Sequence, residues 1–509
     1  MKNVYIFTIG VLGLLLLGSS FLIGIDAARI HLSHINSDML YSLSLYRDMF
    51  EARSASWWGW VLTPAPYFVP DLLGLFVLFP WVADPGLGFT LYEIVLLGGL
   101  AALLARLFLD CGATGPEALA LAGVGLILPL VFLSIYMPAM LEFWLFPTNH
   151  GGGLILGLLF FVLLIAQKSR LKALSFVCFL MAFSDSLLLM QWVMPLWIAI
   201  YGKHRYRSLG LPSVLNKQTF RVTLVGTVAG IALQKLFALV GMFKYGDGKS
   251  LLFTNVRKSF RLFWQDLPAL AGVIGFLLAV CALWGLIGYG RRFDSAASRS
   301  EKGPRGPAIN LLILLTLLCS VASLVGPVLN GAYRGLPTIR YMIPFFVLPL
   351  MLTPVLWLAW IHGKAGTRRR YFALAFAVSA LALSAIPLRA FFAKEFDATA
   401  WHLPYPADVA CIDALVHGKT DYRAVSDYWP AKYIQELSKH KITMRQVTKD
   451  LKDYYWITNP IWHEAKPDNH GFGTLDFIIA NSLMEENLSI FGAPARTELC
   501  GDLKVYFYR

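Results

Sequence analysis

Ionisable side chains recur in this sequence at places where an otherwise apolar chain has little structural use for them. The earliest group lies in a polar stretch, 26–70, that holds Asp26, His31, His34, Asp38, Asp48 and Glu51. Trp57-Trp58-Gly59-Trp60 and a proline- and aromatic-rich run from Pro64 to Asp71 follow. Further on, Glu142 and His150 bracket Phe-Trp-Leu-Phe-Pro-Thr-Asn just before Gly151-Gly152-Gly153, and Asp185 stands between Ser184 and Ser186. Lys235 interrupts an apolar run; Arg257 and Lys258 belong to a basic stretch, 243–267, with Lys244, Lys249 and Arg261; Arg334 and Arg340 precede Tyr341 and Pro344. A carboxylate can take the proton of a hydroxyl, and cationic groups can stabilise charge developing on a departing phosphate. The planar fork of arginine suits phosphate because it binds two oxygens. The plain alternatives are a solvated loop acid for any one carboxylate of 26–70 and a buried Asp185–Lys235 pair that serves only structure.

The elements that must position these groups are set by composition. The 509 residues are 57% hydrophobic and 15% charged, with mean hydropathy +0.60, against about 25% charged in soluble domains. Several runs approach the roughly 20 apolar residues that cross a bilayer. About eleven crossings are expected, at 4–25, 87–109, 117–138, 152–167, 172–187, 188–202, 220–242, 268–290, 307–329, 341–361 and 371–388. The first is too long for a cleaved signal peptide and reads as a retained anchor. Leu72–Val82 is too short to span and reads as re-entrant or interfacial.

Charge orients the chain. With a cytoplasmic N-terminus, the loops holding Lys168/Arg170/Lys172, Lys203/Arg205/Arg207, Arg291/Arg292/Arg299/Lys302/Arg305 and Lys364/Arg368/Arg369/Arg370 all fall inside, as the positive-inside rule requires. The basic stretch 243–267 then falls outside, where an anionic ligand would account for it. This distribution accounts for the net charge of +13 and argues against a nucleic-acid partner. Ser295–Pro307 reads as a flexible cytoplasmic linker.

An odd number of crossings puts the C-terminal residues, 389–509, outside as a separate domain from the transmembrane part, 1–388. This tail is polar. Strand-like segments at Tyr422–Ser426, Ile442–Val447, Leu475–Ala480 and Lys504–Tyr508 and a helical stretch at Pro430–His440 predict a small α/β fold. Cys411 and Cys500 lie in it and are candidates for a disulfide if the tail is extracytoplasmic. No cysteine or histidine cluster has metal-ligand spacing, and no nucleotide-binding fingerprint is present. No cofactor is expected, although a divalent cation is compatible with the chemistry.

Four features together resemble the GT-C superfamily of integral membrane glycosyltransferases, such as protein O-mannosyltransferases, aminoarabinose transferases of lipid A and O-antigen glucosyltransferases. A first span leads into a long outer loop with an acid, Ser37-Asp38-Met39-Leu40-Tyr41. That loop ends in the stretch Pro64 to Asp71. Arg340-Tyr341-Met-Ile-Pro344 opens a late span, and a tail with Asp427-Tyr428-Trp429-Pro430-Ala431-Lys432-Tyr433-Ile434 follows the last one.

The resemblance implies a polyprenyl-phosphate-linked sugar as donor, a hydroxyl of a lipid or glycan as acceptor, and Asp38 as the base. Arg340 and the cations of 243–267, Arg257 and Lys258 among them, would hold the phosphate. His150, Glu142, Asp185, Lys235, Arg334 and Tyr341 would line the pocket. An acidic pair found in some members is absent, because Ser37 and Met39 flank Asp38; Asp26 and Asp48, with His34 nearby, are therefore secondary candidates. The tail carries no N-x-S/T sequon other than Asn487-Leu488-Ser489, and a bacterial inner membrane with a periplasmic tail is therefore the expected location. The rival readings are a secondary transporter or flippase of an anionic lipid-linked substrate, using Asp185 and Lys235 as a relay, and an acyltransferase with His150 as base.

Overall fold

A computed structural model describes residues 2–51, 56–166, 170–205, 213–245, 253–297, 305–361, 367–393, 401–416, 418–463, 475–483 and 485–508. The helical part runs α1 (Lys2–Ser33), α2 (Tyr41–Phe50), a short strand β1 (Trp60–Leu62), α3 (Leu73–Leu78), α4 (Pro85–Asp110), α5 (Gly115–Tyr136), α6 (Pro138–Leu145), α7 (Gly153–Ile165), α8 (Leu171–Ser184), α9 (Met194–Arg205), α10 (Lys217–Leu239), β2 (Phe243–Tyr245), α11 (Phe253–Ala297), α12 (Arg305–Leu329), α13 (Ile343–Met351), α14 (Thr353–Ile361) and α15 (Thr367–Phe392). Among the described residues, seven stretches are helical, long and apolar enough to cross a membrane: Val4–Ser33, Pro85–Asp110, Gly115–Tyr136, Lys217–Leu239, Asn255–Leu283, Pro307–Leu329 and Leu336–Leu356. This is the make-up of a polytopic helical membrane protein.

These seven coincide with seven of the expected crossings. The stretches 152–167, 172–187 and 188–202 fall instead on α7, α8 and α9, of 13, 14 and 12 residues. At 1.5 Å per residue such helices reach about 20 Å, short of a roughly 30 Å hydrocarbon core. The stretch 371–388 falls on α15. Of the linker expected at 295–307, the ends belong to α11 and α12, and 298–304 lie outside the described residues, as do Lys168, Arg207, Lys249 and Lys364.

Local sequence explains the helix ends and the close crossings. Asp84 caps α4 by accepting from the backbone N–H of Gly86 and Leu87, and Thr114 and Glu117 form a capping box at α5. Asn216 caps α10. Gly226 and Gly230 on α10 face the α8 backbone so closely that an added Cβ would meet Ser175 O at 2.0 Å and Phe179 O at 2.4 Å. Small residues four apart bring membrane helices into this contact.

The C-terminal part is a small α/β domain, with α16 (Ala407–Leu415), β3 (Asp421–Ser426), α17 (Tyr428–Leu437), β4 (Lys441–Gln446), β5 (Phe477–Ile479), β6 (Arg496–Cys500) and β7 (Leu503–Phe507). Its sheet has the order β4-β3-β5-β7-β6, parallel through the first three strands and antiparallel through the rest. The strand segments read from the sequence fall on β3, β4, β5 and β7. The helix starts at Tyr428 and ends at Leu437, both earlier than expected, because Asp427 accepts from Trp429 N and caps it. Cys411 and Cys500 form a disulfide.

The two parts meet through backbone pairing. Trp60–Leu62 lies parallel to Phe243–Tyr245, and Val61 exchanges two backbone hydrogen bonds with Thr458 of the domain, at 2.9 and 3.1 Å. Tyr41, Trp60, Leu62, Tyr67, Phe243, Tyr428 and Trp462 pack around this junction as one buried aromatic cluster. A three-segment core of large rings gives the junction much of its hydrophobic stabilisation.

Candidate functional site

Asp38 sits in the turn between α1 and α2. Asn36 builds the turn, its side-chain oxygen accepting from the N–H of Asp38 (3.0 Å) and Met39 (3.2 Å). Both terminal nitrogens of Arg340 lie 3.2 Å from Asp38 Oδ2. The phenol of Tyr428 donates to Asp38 Oδ1. Ser37, next door, is buried and donates to Trp429 O. The early acid, the late arginine and the C-terminal domain therefore share one site.

Arg340 comes from the 3-10 turn Leu336–Met342 that leads into α13. It also donates to Asn149 Oδ1 (3.2 Å), and its guanidinium packs on the rings of Phe143 and Tyr341 at 5.7 and 5.8 Å. That bond fixes the Asn149 amide with its nitrogen directed away from the arginine. Asn149 Nδ2 and Arg340 Nε are buried donors without an acceptor. Buried polar groups are paired in more than about nine cases in ten, so an orphan donor on each of two hydrogen-bonded side chains marks a place suited to an anionic oxygen.

Beside this pair, His150 donates or accepts at both ring nitrogens: Nδ1 lies 2.6 Å from Asp185 Oδ2 and Nε2 lies 2.8 Å from the Tyr67 hydroxyl. With the carboxylate able only to accept and the phenol able to donate, the arrangement fits the Nδ1–H tautomer. The His150 ring also meets Tyr341 edge-on, with centroids 4.9 Å apart. Burial keeps the Tyr67 phenol well above its ordinary range, with Arg340 acting the other way, so it remains a donor.

The 146–153 loop is held by unusual means. Asp71, buried at the end of the Pro64–Asp71 run, accepts from the Tyr92 hydroxyl and from Thr148 N at 2.7 Å. Thr148 and His150 adopt φ of 64° and 73°, and Tyr67 58°. Left-handed backbone at non-glycine residues costs energy, so surrounding contacts must impose it, and it concentrates at functional sites. The glycine run is explained here too: a Cβ on Gly151 would lie 1.6 Å from Trp144 O, and one on Gly152 1.8 Å from Asp71 Oδ1.

The other residues singled out in the sequence are placed differently. α1 continues to Ser33, so the loop expected from residue 26 begins only at His34, and Asp26 and His31 are helical. Asp26 pairs with Arg29 at 3.1 Å in that helix, and His31 is buried against Glu93 at 2.9 Å. His34 is exposed and 3.5 Å from Glu142, which places Glu142 with His34 and not with His150. Asp48 is buried and structural, accepting from Trp60 Nε1 (2.8 Å) and Asn459 Nδ2 (2.7 Å). The first of these bonds is made by a Trp twelve residues further on that folds back over α2. Lys235 does not pair with Asp185; it lies exposed on the outer side of α10, and Asp185 is taken by His150. Arg257 and Lys258 are exposed on the first turns of α11, away from any hydrogen bond to Asp38 or Arg340. Arg334 is exposed near Tyr454, whose phenol is raised chiefly by burial and by Asp38, with Arg334 opposing.

Sequence reading missed Asn149, Tyr67, Asp71, Tyr428 and Lys432. All five lay inside stretches already conspicuous, Pro64–Asp71, the segment ahead of the glycine run and Asp427–Ile434, but nothing local in the sequence shows which side chain of a stretch turns toward the site. Among the described residues no group of three or more His, Cys, Asp or Glu is disposed to hold a metal ion. No protein-family model matches the chain, and no curated protein matches it.

Proposed function

We propose that this protein is an inverting GT-C-type glycosyltransferase that moves a sugar from a polyprenyl-phosphate carrier to a hydroxyl of a lipid or glycan at the outer face of a bacterial inner membrane. In this reading the chain crosses the membrane an odd number of times from a cytoplasmic N-terminus, and the C-terminal domain is periplasmic. The observation that carries it is the pairing of Asp38 with an arginine whose Nε is a buried donor lacking an acceptor. A base and an anion-binding fork at one point are what transfer from a phosphate requires.

On donor binding, the phosphate takes the Arg340 and Asn149 donors, and the arginine loosens its hold on Asp38. The acceptor hydroxyl gives its proton to Asp38 while its oxygen forms a bond to the anomeric carbon. The bond from that carbon to the phosphate oxygen breaks, and the phosphate leaves with the electron pair, stabilised by Arg340. The Tyr67–His150–Asp185 chain holds Tyr341 and the loop carrying Asn149 in place. Exposed Arg257, Lys258 and Arg334 attract the anionic donor to this face, an effect that added salt weakens.

The test is release of polyprenyl phosphate from a polyprenyl-phosphate sugar by purified protein given acceptor. Asp38→Asn should lower this by at least about a hundredfold while the protein stays folded. Full turnover by a folded Asp38→Asn protein removes the assignment.

A further inference from the structure

The C-terminal domain reaches the site along one face of α17. Tyr428, Lys432 and Glu436 are spaced four apart and so stack on that face. Tyr428 donates to Asp38. Glu436 accepts from Ser44 Oγ at 2.8 Å and Arg47 Nη1 at 2.7 Å, both on α2. Between them Lys432 is 1% exposed, with Nζ 3.3 Å from Gln446 Oε1 and 4.6 Å from the centroid of the Tyr428 ring. Lysine is among the residues least often buried without an ion-pair partner, and this one has an amide and an aromatic face in contact instead.

We propose that Tyr428 and Lys432 form a positioning pair for Asp38: the phenol fixes one carboxylate oxygen, and the charged amine on the ring face strengthens that hydrogen bond. A cation over an aromatic ring withdraws electron density from it and makes a phenol a better donor. Burial pushes the Lys432 ammonium down to about 7, with the charges of Asp38 and Glu436 acting the other way. Tyr428 stays protonated, because burial and Asp38 both raise its phenol. The groups that face the amine are therefore Tyr428 and Glu436 on α17, Gln446 on β4 and Asp38 on the loop before α2. Arg47 balances Glu436, Arg340 lies beyond Asp38, and Tyr454 flanks the Tyr428 ring. Loss of the Lys432 proton near neutrality weakens the hydrogen bond that holds Asp38. The effect on transfer rests on the role proposed for Asp38, but the coupling between the residues does not.

The coupling is measured first without any activity, by double-mutant cycles in the Tm of the purified full-length protein. Asp38→Asn is combined with Lys432→Met, Lys432→Arg or Tyr428→Phe at acid and alkaline pH. At about pH 6 the Asp38/Lys432 cycle should be non-additive by about 2–4 °C, and at about pH 9 additive, because the amine has lost its charge. The Lys432→Arg cycle should show the opposite pattern, close to additive at about pH 6, where both side chains are charged, and non-additive at about pH 9, where only the guanidinium is. If the Met variant fails to fold, the Arg and Phe variants carry the comparison. Additive cycles at both pH values overturn the proposal. Coupling as expected in a protein that transfers no sugar leaves this pair standing and removes the function proposed above. Sugar transfer with additive cycles does the reverse.

Discussion

Arg340 and Asp38 are 302 residues apart in the chain, yet both terminal nitrogens of the arginine lie 3.2 Å from one oxygen of the aspartate. The same guanidinium reaches Asn149 Oδ1 and keeps Nε unpaired. Lysine can supply the charge but not this fork. Arg340→Lys should therefore fold and bind donor, with turnover reduced about 10²-fold, and Arg340→Met should fall further. Steady-state kinetics with a polyprenyl-phosphate sugar check this. Equal rates for Arg340→Lys and wild type would mean that the arginine serves only to anchor Asp38.

Asp48 stood in the sequence as a possible second base, but its contacts make a different prediction. It satisfies two buried donors, Trp60 Nε1 in the outer loop and Asn459 Nδ2 in the C-terminal domain. Asp48→Ala strands Trp60 Nε1, at about 1–3 kcal/mol, and leaves Asn459 Nδ2 with its bond to Ser56 O alone, at 2.8 Å. The expected result is earlier melting and faster proteolysis of the junction, read by thermal denaturation and limited digestion. Turnover by the fraction that remains folded should fall much less than in Asp38→Asn.

The sequence revealed what depends on residue type and local period. Apolar runs gave the long helices, and turn chemistry and alternation gave β3, β4, β5 and β7. The unusual acid Asp38 and the arginine before Pro344 stood out because charges beside membrane spans are costly. What it hid depends on contacts made across hundreds of residues. Tyr428 reaches Asp38 over 390 positions and Ser37 reaches Trp429 over 392, and neither tyrosine nor serine is conspicuous in a polar segment. Lys235 was misplaced for the opposite reason: a lysine within an apolar run implies an internal partner, whereas its long stem lets the amine remain on the exposed side of α10. β6 was hidden because its side chains are mostly exposed and show no alternation of hydrophobicity.

Within the C-terminal domain, Asp453 joins two elements. Arg445 binds it through Nε and Nη2 at 2.7 and 2.9 Å, and His463 Nδ1 lies at 2.9 Å. These bonds outweigh partial burial and hold the carboxyl well below the usual carboxylate range. A depressed folded-state pKa contributes stability above the unfolded value, about 3.9, and that stability is lost as pH falls through the folded value. Asp453→Asn should thus be less stable than wild type near neutrality, and the difference should close below about pH 4. Thermal melts across an acid pH series measure it; a constant difference down to about pH 2 would show that Asp453 acts by packing alone.

The proposed site requires Asp38, Arg340 and the C-terminal domain to face one aqueous compartment, and the disulfide between Cys411 and Cys500 favours an oxidising one. One-sided labelling tests both points. Ser37 is buried and unsuitable as a probe, but His34 and Thr420 are exposed on the outer loop and on the domain. His34→Cys and Thr420→Cys, examined separately in intact cells, should both react with a membrane-impermeant maleimide. Cys411 and Cys500 should stay unreactive until reduced, while buried Cys111, Cys178 and Cys319 should resist even then. Reduction should also lower the melting temperature of the domain, because the bond closes 89 residues and loop-closure entropy over that length is worth about 4–5 kcal/mol. Labelling of one engineered cysteine from outside and the other only after permeabilisation would place Asp38 and Tyr428 on opposite sides of the membrane, and the chemistry proposed for them would fail with it.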